Sequence, residues 1–270
     1  MQRKIWGVIA GMRFKLTTHN LPSDHPRRSS PDRKEVYRPE SIRLNPGKMK
    51  TALIILGLCL CLPVVGGDKD KPLPKDFKEL EALAEKGDAS AQAKLGVIYS
   101  DGDGVAKDDK EAAKWYRKAA EQGDAAAQFL LGAAYSDGKG VPKDDQKALT
   151  WYLKAANQGK TQAQFLLGAM YSEGEGVPKN NQEAVKWFRK VALKGNVTAQ
   201  FFLGIKYFKG EGVPKDIVNA YVWWKIAAIN GNADARINTL FFARKMTAEQ
   251  IAQAQKLAKE MIEKNPKLTK

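Results

Sequence analysis

The sequence predicts an all-α protein, a right-handed α-solenoid of stacked helix-turn-helix repeats with a 36-residue period, and three observations predict it. Gly87, Gly123, Gly159, Gly195 and Gly231 are spaced by 36, as are Leu95-Gly96, Leu131-Gly132, Leu167-Gly168 and Leu203-Gly204. Tyr99, Tyr135, Tyr171 and Tyr207 keep the same step, and so do Trp115, Trp151, Trp187 and Trp223. Between these landmarks Gly-x-Gly-Val recurs at 102–105, 138–141, 174–177 and 210–213, splitting every unit in two. Self-similarity at one fixed period is the mark of a stacked array.

The unit 123–158 shows how each element arises. Asp124 is placed to cap a first helix whose Ala127, Leu131 and Tyr135 fall on one stripe of a 3.6-residue period. Gly138 and Gly140 stop it, and Pro142 prevents its extension. Asp144 or Asp145 caps the second helix, whose stripe is Ala148, Trp151, Tyr152, Ala155 and Ala156, and Gly159 ends it. Each helix is expected to run about 13 residues, roughly 20 Å. Gly132, Ala148 and Ala156 let backbones approach, while Leu131, Tyr135 and Trp151 fill the space between helices. Neither helix can bury its stripe alone, so units must stack. A lone second helix is expected at 75–86, four full repeats at 87–230, and a degenerate repeat with a cap helix at 231–264. Thr239-Leu240 replaces Leu-Gly in that last unit, and Thr247-Ala-Glu-Gln250 reads as a capping box.

The first 67 residues read differently. Residues 1–48 form a basic, Pro- and Ser-rich leader expected to be disordered. Met49-Lys50 then opens an apolar run, 52–65, closed by Gly66-Gly67, and 49–67 reads as a secretory signal peptide. The run is shorter than the ~20 residues of a bilayer-spanning helix, so no stable membrane span is expected after cleavage. Neither Cys59 nor Cys61 follows a small residue, so no lipid anchor is expected. Translation is expected to start at Met49, with 1–48 an over-long reading of the gene. The alternative keeps Met1, giving a signal with a long charged front or an uncleaved anchor. The repeat body, 68–270, is therefore expected to be exported, to the periplasm or beyond it.

Composition excludes much chemistry. Of the formal +15 charge, +8 lies in 1–50, and the body carries only +7 with acids interspersed, so no nucleic-acid partner is expected. His19, His25, Cys59 and Cys61 all precede the body. It thus has no thiol nucleophile, imidazole base, disulfide or His/Cys metal site, and neither cofactor, metal nor catalytic residue is expected.

These repeats resemble the Sel-one-like repeat family, relatives of the tetratricopeptide repeats. The resemblance rests on Ala127-Gln128-Phe129-Leu130-Leu131-Gly132, Tyr135, Gly138-Lys139-Gly140-Val141-Pro142, and Ala148 through Trp151-Tyr152 to Ala155-Ala156. It covers about 75–263 and is loosened where Ala106 replaces the proline. It implies an adaptor whose curved inner face holds a partner protein or peptide. Some exported members of the family are cysteine-rich and associated with β-lactam binding; this chain lacks cysteine after Cys61 and departs from that branch.

Geometry nominates a binding face independently. At ~100° per residue, Phe129, Phe165 and Phe201 point away from the leucine stripe. Ala133, Ala169 and Ile205 lie on the same side, as do Gln162 and Thr198. This face is expected to line a groove taking an apolar segment of a partner. The competing reading packs the rings between adjacent helices.

Several apparent motifs fail on spacing. Ser136-x-x-Lys139 straddles the helix-ending Gly138, and no Lys-Thr-Gly partner exists. Gly159-Lys160-Thr161 lacks the upstream glycine of a phosphate loop. The Asp101, Asp103, Asp108 and Asp109 cluster has Val105 where a calcium ligand is needed. The sequence therefore predicts an exported, non-enzymatic scaffold. The rival is an envelope hydrolase or small-ligand receptor, related to peptidoglycan or β-lactams, working through groove carboxylates.

Overall fold

The computed structural model describes residues 77–269; the leader expected over 1–48 and the signal peptide expected over 49–67 lie outside them. The described residues form helices α1 (Phe77–Glu85), α2 (Ala89–Asp101), α3 (Asp109–Glu121), α4 (Ala125–Asp137), α5 (Asp145–Asn157) and α6 (Thr161–Glu173). They continue through α7 (Asn181–Ala192), α8 (Val197–Lys209), α9 (Ile217–Ile229), α10 (Ala233–Ala243) and α11 (Ala248–Lys264), closing on a 3-10 turn, Pro266–Leu268. The pairs α2/α3, α4/α5, α6/α7 and α8/α9 are hairpins, and each second helix also packs on the first helix that follows.

The helix ends obey the sequence. Asp88, Asp124, Asn196 and Asn232 cap first helices, and Asp108, Asp144, Asn180 and Asp216 cap second helices through their side-chain oxygens. Of the two aspartates offered for α5, Asp144 is the cap and Asp145 is the first helical residue. Lys160 stands at the α6 cap position without a side-chain bond, and α6 forms nevertheless because its neighbours bury it. Gly138 ends α4 in the left-handed region at φ 69, where its N–H donates to Ala134 O. The expected capping box is present, with Thr247 and Gln250 exchanging hydrogen bonds at the start of α11.

Packing follows a size rule. Leu95, Leu131, Leu167 and Leu203 are fully buried. Beside each leucine, a glycine receives the ring of its own second helix: Tyr116 on Gly96, Tyr152 on Gly132, Phe188 on Gly168, Trp224 on Gly204. A β-carbon at Gly168 would lie 2.7 Å from the Phe188 ring, so only glycine permits this hairpin spacing. Arginine–tyrosine bonds tie neighbouring repeats: Arg117 donates to Tyr135 Oη at 3.0 Å and Arg189 to Tyr207 Oη at 2.6 Å.

The C-terminal end breaks the pattern. Lys186 and Lys190 are exposed on α7, but Val222 and Ile226 hold those positions on α9. With α9 buried on more sides, the cap helix α11 packs against α9 instead of returning along α10. Met246, Ala254, Ala258 and Leu268 join the core around Tyr221, Val222 and Ile226.

Candidate interaction surface

The phenylalanine row divides. Phe129 and Phe165 are only 6% and 7% exposed. The Phe129 ring centre lies 5.7 Å from Tyr152, and that of Phe165 lies 5.6 Å from Phe188 and 6.2 Å from Phe202. The glycine beneath each second-helix aromatic draws that helix close, so the ring also covers the neighbouring phenylalanine. Phe201 is half-buried beside Phe202 and belongs with Ile205 to the cluster around Trp224. Ala169 is buried with Phe165, while Ala133, Gln162 and Thr198 are half-buried. The accessible part of the row is therefore Ala133 on α4, Gln162 on α6, and Thr198, Phe201 and Ile205 on α8, repeating in register.

A second feature was not singled out from the sequence. α7 and the loop after α8 enclose an open depression of about 360 Å³ lined by Val185, Leu193 and Val213 and rimmed by Lys186, Arg189 and Lys190. No carboxylate lines it. The rim cations are anchored: Lys186 pairs with Glu183 at 3.1 Å, Arg189 bonds Tyr207, and Lys190 stands 4.2 Å over the Trp187 ring. In the preceding repeat Thr150 and Leu153 replace Lys186 and Arg189, whereas the lining Gln182 has a counterpart in Gln146, which there donates to Gly176 O. In the first repeat Glu121 stands at the Leu193 position. The signal was the spacing Lys186, Arg189, Lys190, Leu193 on one helix, which is indistinguishable by itself from an ordinary solvated face.

Ionisable groups elsewhere serve structure. Lys206, with its side chain 5% exposed, holds Glu211 and Asn181 at 2.8 Å each. Burial works to raise the Glu211 carboxyl, but the Lys206 ammonium prevails and holds it below its ordinary range. Burial raises Asp101, against the pull of Lys107. The backbone N–H and ammonium of Lys147 lower the capping Asp144. Lys139 pairs with Asp137 at 2.9 Å, on the turn that carries the Ser-x-x-Lys decoy. Among the described residues no group of three or more His, Cys, Asp or Glu could hold a metal ion, and no helix is long and apolar enough to cross a membrane.

Comparison with known proteins places this geometry. The chain is 36% identical to the crystal structure of c5321, a protective antigen of uropathogenic Escherichia coli with an SLR fold, at a TM-score of 0.62. That match covers 81% of this chain and 46% of the E. coli chain, so this chain spans about half of that relative's length. A Sel1 repeat protein from Oxalobacter formigenes is also 36% identical, over 62% of this chain and 72% of its own, at a TM-score of 0.58. No curated protein matches. The Sel1 repeat pattern matches 89–124, 125–160, 161–196 and 197–232, which coincide with the hairpin pairs within a few residues, and the chain belongs to the Sel1-repeat family.

Proposed function

We propose that this chain is an exported scaffold that holds a partner protein against its first helices, without catalysis or cofactor. The observation that carries the reading is the accessible row of Ala133, Gln162, Thr198, Phe201 and Ile205, set in register on three successive first helices. Side chains repeated along an array suit an extended or helical segment better than a compact small molecule. The basic depression beside α7 offers a second anchor, for a carboxylate next to an apolar side chain. Export is supported by the apolar run 52–65 behind Met49-Lys50 and by the likeness to a protein described as a protective antigen.

The test is affinity capture from the organism's envelope with the chain and with Gln162→Arg/Thr198→Arg, both positions half-exposed, the variant's helical circular dichroism being checked against the parent chain. A partner held by the first and lost by the second places binding on the row. A partner lost only with Lys186→Glu/Arg189→Glu moves binding to the depression. Capture of nothing by any form overturns the reading. Cell fractionation tests export separately.

A further inference from the structure

The two ends of the array are complementary halves of one repeat. Among the described residues α1 is a second-type helix with no first helix before it, and α10 is a first-type helix with no second helix laid along it, since α11 packs on α9. In every complete repeat a glycine on the first helix faces an aromatic ring on the second, as in Gly96 with Tyr116 or Gly204 with Trp224. Thirty-six residues on from Gly204 stands Leu240 of α10, and thirty-six before Tyr116 stands Leu80 of α1. The small-against-large contact becomes leucine against leucine, with the bulk shifted from one helix to the other.

The neighbouring positions match as well. Ile237 holds the position of Phe165, which in its own repeat packs on the second helix. In the antiparallel hairpin register this sets Ile237 opposite Leu80 and Leu83. Much of this apolar surface is open: Leu83, Ile237, Leu240 and Phe241 are 43%, 62%, 65% and 42% exposed, while Leu80 is half-buried against the core around Phe77 and Leu95. The charges are opposite. Over 77–87 Glu79, Glu81 and Glu85 stand against Lys78 and Lys86, whereas over 233–245 Arg236, Arg244 and Lys245 stand against Asp234. The same register brings Arg236 beside Glu85, and Arg244 and Lys245 beside the end bearing Glu79. Pairing two α10 faces instead would juxtapose like charges.

We propose that α10 of one copy packs along α1 of the next, closing a composite repeat and joining chains head to tail. The contact uses two different surfaces, so it is head-to-tail rather than isologous, and successive copies build a ring or an open filament according to the rotation between them. The proposal is independent of the partner-binding reading, since it uses neither the first-helix row nor the α7 depression.

Sedimentation velocity on the full chain over a concentration series tests it. Species larger than the monomer are expected to grow with concentration and to shrink as salt is raised. Glu79→Arg/Glu85→Arg and Arg236→Glu/Lys245→Glu should each weaken association about tenfold or more in Kd. Mixing the two variants should restore it, because each swapped face then meets its complement. Leu240→Asp should remain monomeric, and its exposed position leaves the helical circular dichroism unchanged. The proposal is overturned by a chain monomeric at every concentration, including through cover of α1 by residues before Phe77. It is equally overturned by association that survives these variants, or by a mixture that does not recover. Binding of the α10 face to anionic vesicles, lost in Leu240→Asp and without self-association, would assign that face to lipid instead.

Discussion

Gln200 donates through Nε2 to the carbonyl of Leu268 at 2.9 Å, tying a buried first-helix glutamine to the end of the described chain. The glutamine recurs. Gln92, Gln128, Gln164 and Gln200 donate to Ala84, Ala120, Ala156 and Ala192 O, closing the turn between successive repeats. Each accepts in turn from a side chain thirty residues on: Gln122, Gln158, Lys194 and Asn230. Gln158 and Lys194 are long enough to reach Gly123 O and Gly159 O as well. Asn230 is one methylene shorter than Gln158, and it finds Leu268 O at 2.6 Å instead. The C-terminal turn thus supplies in the last full repeat an acceptor that the turn backbone supplies in the two before it.

Leu268→Ala should therefore loosen more than the chain end. Leu268 is 1% exposed, and truncating it removes the apolar anchor that holds the carbonyl against Gln200 and Asn230. The expected cost is about 2 kcal/mol, read by urea denaturation. Hydrogen exchange at the start of α8 should quicken, while exchange in α4 stays unchanged. A cost confined to the last few residues would contradict the latch.

A pair of glycine substitutions separates the tail from the backbone. Gly195 and Gly231 both hold left-handed φ, 88 and 90, so alanine is strained at either by ~1–2 kcal/mol. A β-carbon at Gly231 meets nothing within 4 Å, but at Gly195 it would overlap Lys267 O. Gly195→Ala should cost more than Gly231→Ala and should release the tail. Combining it with Leu268→Ala should then add little, which a double-mutant cycle measures.

The hairpin glycines give the opposite of the usual helix rule. Glycine to alanine inside a helix ordinarily gains about 1 kcal/mol. At Gly204 the added carbon would overlap the indole of Trp224, which is 1% exposed and cannot move aside. Gly204→Ala should be net destabilising, with overpacking costing about 1–3 kcal/mol, and thermal unfolding reads the sign. Leu240 shows the rule at work in reverse, since the helix that carries a leucine at this position is the one left unpaired.

How much of this was legible depends on the range of the interaction. Caps, stops and the leucine stripe were readable because Asp124, Gly138 and Leu131 act within a turn or two of their own position, and the period repeats the signal. The fate of Phe129 and Phe165 was not fixed by helical phase alone. Phase says which way a ring points, but a first helix in a stacked array has neighbours on several sides, and the ring facing away from Leu131 meets Tyr152. The tail was invisible for a different reason: the bond from Asn265 to Leu193 O spans 72 residues and recurs nowhere in the period. The depression on α7 depends on which side chains rim it: Lys186 and Arg189 stand where Thr150 and Leu153 stand one repeat earlier, while both repeats keep the glutamine, Gln146 and Gln182.

The last prediction concerns acid. Glu211 accepts from the buried Lys206 and is held below its ordinary range, so its folded-state pKa lies under its unfolded one. A carboxylate depressed in this way adds stability above the unfolded pKa and loses it as pH falls through the folded value. Near neutral pH, Glu211→Gln should lower the melting temperature, because it leaves the Lys206 ammonium buried without its counter-ion. As pH falls through the carboxylate range, wild type should lose this advantage, and the two melting curves should converge. Equal pH profiles for the two proteins would show that Asn181 alone satisfies Lys206, and that the ion pair adds nothing to the hydrogen bond.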